Sequence, residues 1–231
     1  MIKVVFIDID DTLLSFQGYV QDALQTGFAR FSLGSYTEDT LTTFHRINNG
    51  LWHDIEQGTL TFDELQKIRF NRVFDALGIS YDGVAFEKFF REYLFSSAIE
   101  EPHAKELLAY LADNYTLCTA SNGPYKQQCH RLQVGGMYGY FSHNFISSAV
   151  GASKPARAFF DYAFDVLRKN GFPDLLPEEC IIIGDSLTSD MAGGKAYGMQ
   201  TCLYSKKPRT AEETAGITHV VSSLSEIIGI L

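Results

Sequence analysis

The sequence predicts an α/β fold: a parallel sheet with helices on both faces, interrupted by a separate all-helical insert. Three observations predict it. Short, β-branched apolar runs recur along the chain. Helical patterns separate most of them. Roughly eighty residues of helical spacing then break that alternation, directly after the first run.

The first run, Lys3 to Ile9, is short and apolar and gives way to Asp10-Asp11-Thr12. That reads as a buried strand entering a loop. Similar runs follow at Tyr115–Ala120, Phe145–Ser147, Cys180–Gly184 and Gln200–Tyr204, with a weaker one at Thr218–Val221. In the insert, Val20, Leu24, Phe28 and Phe31 repeat at helical spacing. Leu41, Phe44, Asn48, Trp52 and Ile55 continue on a second helix that stops near Gly58. Thr61-Phe62-Asp63-Glu64 fits a capping box, and the helix it opens ends at Gly78. Asp82 to Phe95 reads as a fourth helix. These patterns divide the chain into a core, residues 1–15 and 98–231, and an insert, 16–97.

At 231 residues, with 45% hydrophobic and 20% charged positions, the composition suits a globular core plus insert. A net charge of −9 repels polyanions, so it argues against non-specific nucleic-acid binding. An anionic small substrate needs a local cation or metal to offset that field. Cys118, Cys129, Cys180 and Cys202 form no CxxC pair and read as buried thiols. Asp8 cuts the first apolar run too early for a signal peptide. No stretch approaches the ~18 apolar residues of a membrane span. The expectation is a cytoplasmic protein with neither membrane nor nucleic-acid partner; its oligomeric state is open. The Gly193-Gly194 pair is expected to permit close helix packing. Lys206-Lys207-Pro208-Arg209 reads as a solvated turn.

Four constellations carry chemistry. Asp8-Ile9-Asp10-Asp11-Thr12 stands at the carboxyl end of the first strand, where open parallel sheets bind ligands. Three carboxylates packed so closely repel one another, and a cation would relieve that. Gly184-Asp185-Ser186, with Asp190, follows another buried strand; Asp185 could complete an oxygen-rich magnesium site. Ser121-Asn122-Gly123 follows a third strand, where a hydroxyl and free backbone N–H groups can hold a phosphate oxygen. Lys154-Pro155 supplies a compact cation suited to phosphate, with Pro155 expected to open the helix carrying Phe159 and Phe160. Each signal alone is an ordinary loop, turn or surface charge. Their shared placement after strands is what brings them to one sheet edge.

In this arrangement the chain resembles the haloacid dehalogenase superfamily over essentially its whole length. Asp8-x-Asp10-x-Thr12 looks like its first motif, Ser121 its second, Lys154 its third and Gly184-Asp185…Asp190 its fourth. The position after Asp10, often glycine in the family, is Asp11 here. The resemblance implies a Rossmann-like core and an inserted helical cap of the family's first type, expected to close over the site. It implies Asp8 as nucleophile and Asp10 as general acid and base. It also implies Mg²⁺ on the Asp8 carboxylate, the Asp10 backbone carbonyl and Asp185. Thr12, Ser121, Asn122 and Lys154 would bind phosphate, and Asp190 would position Lys154 or a metal-bound water.

Within the superfamily the chain is most similar to pyrimidine 5′-nucleotidase-like phosphatases. Asn49-Gly50-Leu51-Trp52, Ser121-Asn122-Gly123 and Ile183–Asp190 carry that similarity. It implies a nucleoside 5′-monophosphate substrate, with Asn48 and Trp52 as candidates to face its leaving group, ahead of Phe16, Tyr19 and His45. The alternatives are a sugar-phosphate or phosphoglycolate-type phosphatase, a phosphomutase, and an inactive binding module.

Overall fold

The structure, a computed structural model, describes residues 1–231. It resolves into two compact units, Met1–Ser15 with Ala98–Leu231, and Phe16–Ser97.

The first unit is built on a six-stranded parallel sheet. Its strands are β1 (Val4–Ile7), β2 (Thr116–Ser121), β3 (His143–Ile146), β4 (Cys180–Gly184), β5 (Gln200–Tyr204) and β6 (His219–Val221), in the order β3-β2-β1-β4-β5-β6. All six lie where the apolar runs predict them, within two residues at either end. β1 sits in the middle. The chain fills one side of it with β2 and β3, then crosses to the other side for β4, so β1 and β4 meet at the topological switch point.

The alternation of side chains builds two cores. Val5 and Ile7 of β1 and Ile181 and Ile183 of β4 face one layer, with Leu107, Leu108 and Leu111 packed upon them. Val4, Phe6, Cys180 and Ile182 face the other, under Phe159, Phe160, Ala163, Phe164 and Leu167. A sheet apolar on both faces must be covered on both.

Helices α1 (Phe16–Phe31), α2 (Glu38–Glu56), α3 (Phe62–Leu77) and α4 (Gly83–Phe95) form the second unit. Its interior is aromatic: Tyr19, Phe28, Phe44, Phe70, Phe74, Phe86 and Phe90 are buried together. Thr61 and Glu64 form the expected capping box, and Gly78 ends α3 at φ 67°. Gly27 is required by packing, because a Cβ there would lie 2.5 Å from the Phe86 ring.

The remaining helices, α5 (Ala104–Asn114), α6 (Tyr125–Val134), α7 (Ser147–Val150), α8 (Arg157–Lys169) and α9 (Ala192–Tyr197), belong to the first unit. One expectation needs correction here: Pro155 does not open α8. Ala156 is still extended (φ −57°, ψ 134°), and the helix begins at Arg157. The Gly193-Gly194 expectation holds. A Cβ at Gly193 would lie 2.7 Å from the Phe160 ring, and one at Gly194 would lie 2.4 Å from Ile182. All four cysteines are free and buried. No helix is long and apolar enough to cross a membrane.

Candidate active site

The site residues gather at the carboxyl ends of β1, β2 and β4. Asp8 is the first residue past β1, and its N–H donates to Ile183 O at 2.9 Å, continuing the ladder with β4. The chain then turns sharply. Leu13 and Leu14 N–H both donate to Ile9 O, and Asp11 adopts φ 56°. That left-handed conformation suits glycine, and aspartate is among the few other residues that tolerate it. The glycine–aspartate exchange at this position therefore keeps the turn.

Lys154 organises the centre. It is 1% exposed, yet its ammonium donates to Asp8 Oδ1 at 2.8 Å, to Asp190 Oδ1 at 2.5 Å and to the Ala120 carbonyl. A buried cation needs such partners. Burial disfavours its charge, but Asp190 and Asp8 outweigh that and raise its pKa above the ordinary lysine value. Asp190 is fully buried and also accepts Ser186 N–H at 3.1 Å. Gly184 makes this fit possible: a Cβ there would lie 2.2 Å from Asp190 Oδ2.

Asn122 holds the lysine from behind. Its Nδ2 donates to Lys154 O at 2.9 Å and its Oδ1 accepts Lys154 N–H at 2.8 Å. The Asn122 side chain thus ties the Lys154 loop to the end of β2. Ser121 is buried, and its Oγ accepts from Gln128 Nε2 at 3.0 Å. Thr12 Oγ1 is buried with no hydrogen-bond partner.

Asp10 faces a different pair. Its Oδ1 accepts from Arg131 Nη1 at 2.6 Å and its Oδ2 from Gln128 Nε2 at 2.7 Å. Neither Gln128 nor Arg131 was singled out from sequence. The available signal was thin: two polar residues three apart on one helical face, beside the apolar Leu132.

The electrostatics call for a further cation. Burial, with Lys154 opposing and Asp190 adding, pushes the Asp8 carboxyl up to about 7. Burial and the charges of Asp8, Asp190 and Asp11 raise Asp185 well above the ordinary range. Carboxylate oxygens of Asp8, Asp185 and Asp190 lie within 4.8 Å of one another. Asp190 is already committed to Lys154 and Ser186, so Asp8 and Asp185 are the carboxylates with capacity left. A hard divalent cation with oxygen ligands fits this donor set.

The two cap candidates lie in the helical unit. Asn48 points into that unit's interior, 3% exposed, where its Oδ1 accepts from Arg69 Nη1 at 2.9 Å. Arg69 in turn grips Glu87 through two hydrogen bonds of 3.0 and 2.7 Å. The Asn48 carboxamide is thus part of a buried polar network, a placement its helical spacing alone did not reveal. Trp52 is half-buried and its ring packs beside Phe62 at 5.7 Å.

Two aspartates on one loop at a sheet switch point, a lysine that joins the first of them to a further buried carboxylate, and a serine at a neighbouring strand end are together the pattern of one class of hydrolase. The haloacid dehalogenase-like hydrolase model matches residues 2–198, and the chain belongs to that family. Among its relatives, the HAD-hydrolase YfnB of Bacillus subtilis is 32% identical, over 99% of this chain and 95% of its own length. The pyrimidine 5′-nucleotidase YjjG of Escherichia coli is 31% identical, over 96% and 95%. The pyrimidine 5′-nucleotidase PynA of Streptococcus pneumoniae is 29% identical, over 99% and 94%. The crystal structure of YfnB bound to magnesium superposes with a TM-score of 0.87 at 31% identity, covering 100% of this chain and 98% of that one.

Proposed function

We propose that this chain is a Mg²⁺-dependent phosphomonoesterase that works through an aspartyl-phosphate on Asp8 and acts on a pyrimidine nucleoside 5′-monophosphate. One observation carries the chemistry. Lys154 holds Asp8 at 2.8 Å, while Asp10, two residues on, is kept apart on its own partners. Two carboxylates of different environment suit the two roles of nucleophile and proton carrier.

In this reading an Asp8 oxygen attacks phosphorus, and the bond from phosphorus to the ester oxygen breaks. Asp10 gives a proton to the departing alcohol. It then takes one from the water that attacks the aspartyl-phosphate, and the bond between phosphorus and Asp8 breaks to release phosphate. Lys154 offsets the charge of nucleophile and phosphoryl group; Ser121 and the unpartnered Thr12 hydroxyl supply donors to phosphoryl oxygens. Asp8, Asp185 and the Asp10 carbonyl would hold Mg²⁺, which supplies charge compensation and orientation when bound. The substrate class rests on the likeness to YjjG and PynA, both named as pyrimidine 5′-nucleotidases.

Phosphate release from a panel of esters, with Mg²⁺ and with chelator, tests both levels. Chelator-sensitive turnover led by pyrimidine monophosphates is expected. Turnover led by sugar phosphates or phosphoglycolate would keep the mechanism and refute the nucleotide assignment. No turnover on any ester would refute the phosphatase itself.

A further inference from the structure

Gln128 and Arg131 stand on one face of α6, three residues apart, and both reach Asp10. Arg131 Nη1 donates to Asp10 Oδ1 at 2.6 Å and to Gln128 Oε1 at 2.9 Å. Gln128 Nε2 donates to Asp10 Oδ2 at 2.7 Å and to Ser121 Oγ at 3.0 Å. Both side chains are 1% exposed. A buried guanidinium and a buried carboxamide carry a large desolvation cost unless their donors are met. Here they are met by the residue assigned the proton transfers and the residue assigned to the phosphoryl group.

We propose that Gln128 and Arg131 are positioning residues that hold Asp10 in the posture of a proton acceptor for hydrolysis of the aspartyl-phosphate. This rests on the phosphatase reading above. The argument is geometric. Each Asp10 oxygen faces a donor, so the carboxylate is aimed and held as an acceptor, which is what activation of the attacking water needs. Protonating the leaving alcohol needs the opposite, a carboxyl group turned out as a donor. Gln128 does a second job with the same amide: by filling an acceptor position on Ser121 Oγ, it leaves that hydroxyl's hydrogen, which here meets the Asn122 carbonyl at a long 3.5 Å, to turn to a phosphoryl oxygen. One side chain thereby sets the directions of two groups at once.

The test uses the full-length enzyme with Mg²⁺, in three forms: wild type, Arg131→Met and Gln128→Leu. Each is assayed for steady-state kinetics on its preferred ester, for a pre-steady-state burst of alcohol, and for acid-stable phosphoryl label on the protein. A group acting through the general base should be worth about tenfold or more in kcat. The expected result is that kcat falls by at least that factor while KM changes little. Alcohol appears in a burst that exceeds phosphate, and labelled Asp8 accumulates. Arg131→Lys, which restores one donor, should recover part of kcat.

Because both residues are buried, melting temperature is read in parallel. If Arg131→Met does not fold, Gln128→Leu and Arg131→Lys carry the test. Folded variants with wild-type kcat would overturn the proposal. So would a loss of kcat with no burst and no label, since that places the damage in the first step. A wild-type enzyme that hydrolyses no ester would instead refute the phosphatase reading, and the positioning role with it.

Discussion

Gly184→Ala adds a single methyl group at the end of β4, and its cost can be worked out from the structure. Gly184 does not occupy the left-handed region, so alanine can adopt its backbone and the effect comes from contact alone. The new Cβ would lie 2.2, 2.4 and 2.8 Å from Oδ2, Cγ and Cβ of Asp190. Non-bonded carbon contacts settle near ~3.5 Å, so the Asp190 carboxyl must retreat by about 1 Å. Asp190 is fully buried and has no solvent to move into. Its 2.5 Å contact with Lys154 would stretch toward the limit of a hydrogen bond. Overpacking costs about 1–3 kcal/mol, and outright loss of a buried ion-pair partner about 3–5 kcal/mol. A strained but surviving pair should therefore cost about 2–4 kcal/mol, a fall in Tm of about 5–15 °C for a chain of this size. Calorimetry gives the Tm, and phosphate release with Mg²⁺ gives kcat, which should fall because the same carboxylate holds Lys154. In an Asp190→Ala background the extra methyl should cost less, since two of the three atoms it strikes, Oδ2 and Cγ, are gone and only the 2.8 Å approach to Cβ remains. A Gly184→Ala enzyme with wild-type Tm and kcat would refute the reasoning.

Three further outcomes are expected. Asp8→Asn should abolish turnover while the far-UV spectrum and cooperative unfolding persist; retention of wild-type activity would remove Asp8 from the nucleophile's role. In chelator, the raised pKa values of Asp8 and Asp185 mean that the native state holds protons the unfolded chain has released. Stability from these groups is present below the ordinary aspartate range and is lost as pH rises through about 7 for Asp8. Tm in chelator should therefore fall between pH 5 and pH 8, and Mg²⁺ should raise it more at pH 8; a flat or inverted profile would refute the clustered-carboxylate account. In the helical unit, Arg69→Met takes both hydrogen bonds from Glu87, 2% exposed, and leaves it only Arg91 at 4.0 Å; it should cost about 3–5 kcal/mol in denaturant unfolding, with Glu87→Leu added to it recovering much of the loss. An unchanged midpoint for Arg69→Met would show that the pair is not needed.

Much of this protein was legible in one dimension because its signals are local. A strand buried on both faces must be apolar, so the inner strands announced themselves, while the edge strand β6, with Val220 exposed, left only a weak run. Capping boxes and left-handed glycines are spelled within a few residues, as at Thr61–Glu64 and Gly78. Asp8, Asp10, Ser121, Asp185 and Asp190 could be picked out as candidates because they stand at or soon after strand ends, which a parallel sheet gathers, and Lys154 because it stands in the connection that leaves β3, one short helix on. What the sequence could not order was the partnership among them. Lys154 meets Asp8 across 146 residues and Asp190 across 36, a result of β1 lying between β2 and β4. Gln128 and Arg131 looked like ordinary helix residues, because nothing nearby in sequence says that α6 will lay them against Asp10. Asn48 looked available to a ligand until the fold set Arg69 beside it. Local chemistry is written in neighbouring residues, so the sequence alone determined the strands, the caps and the inventory of reactive groups. The pairing of distant buried charges is decided by strand order and helix packing, which only the tertiary structure supplies.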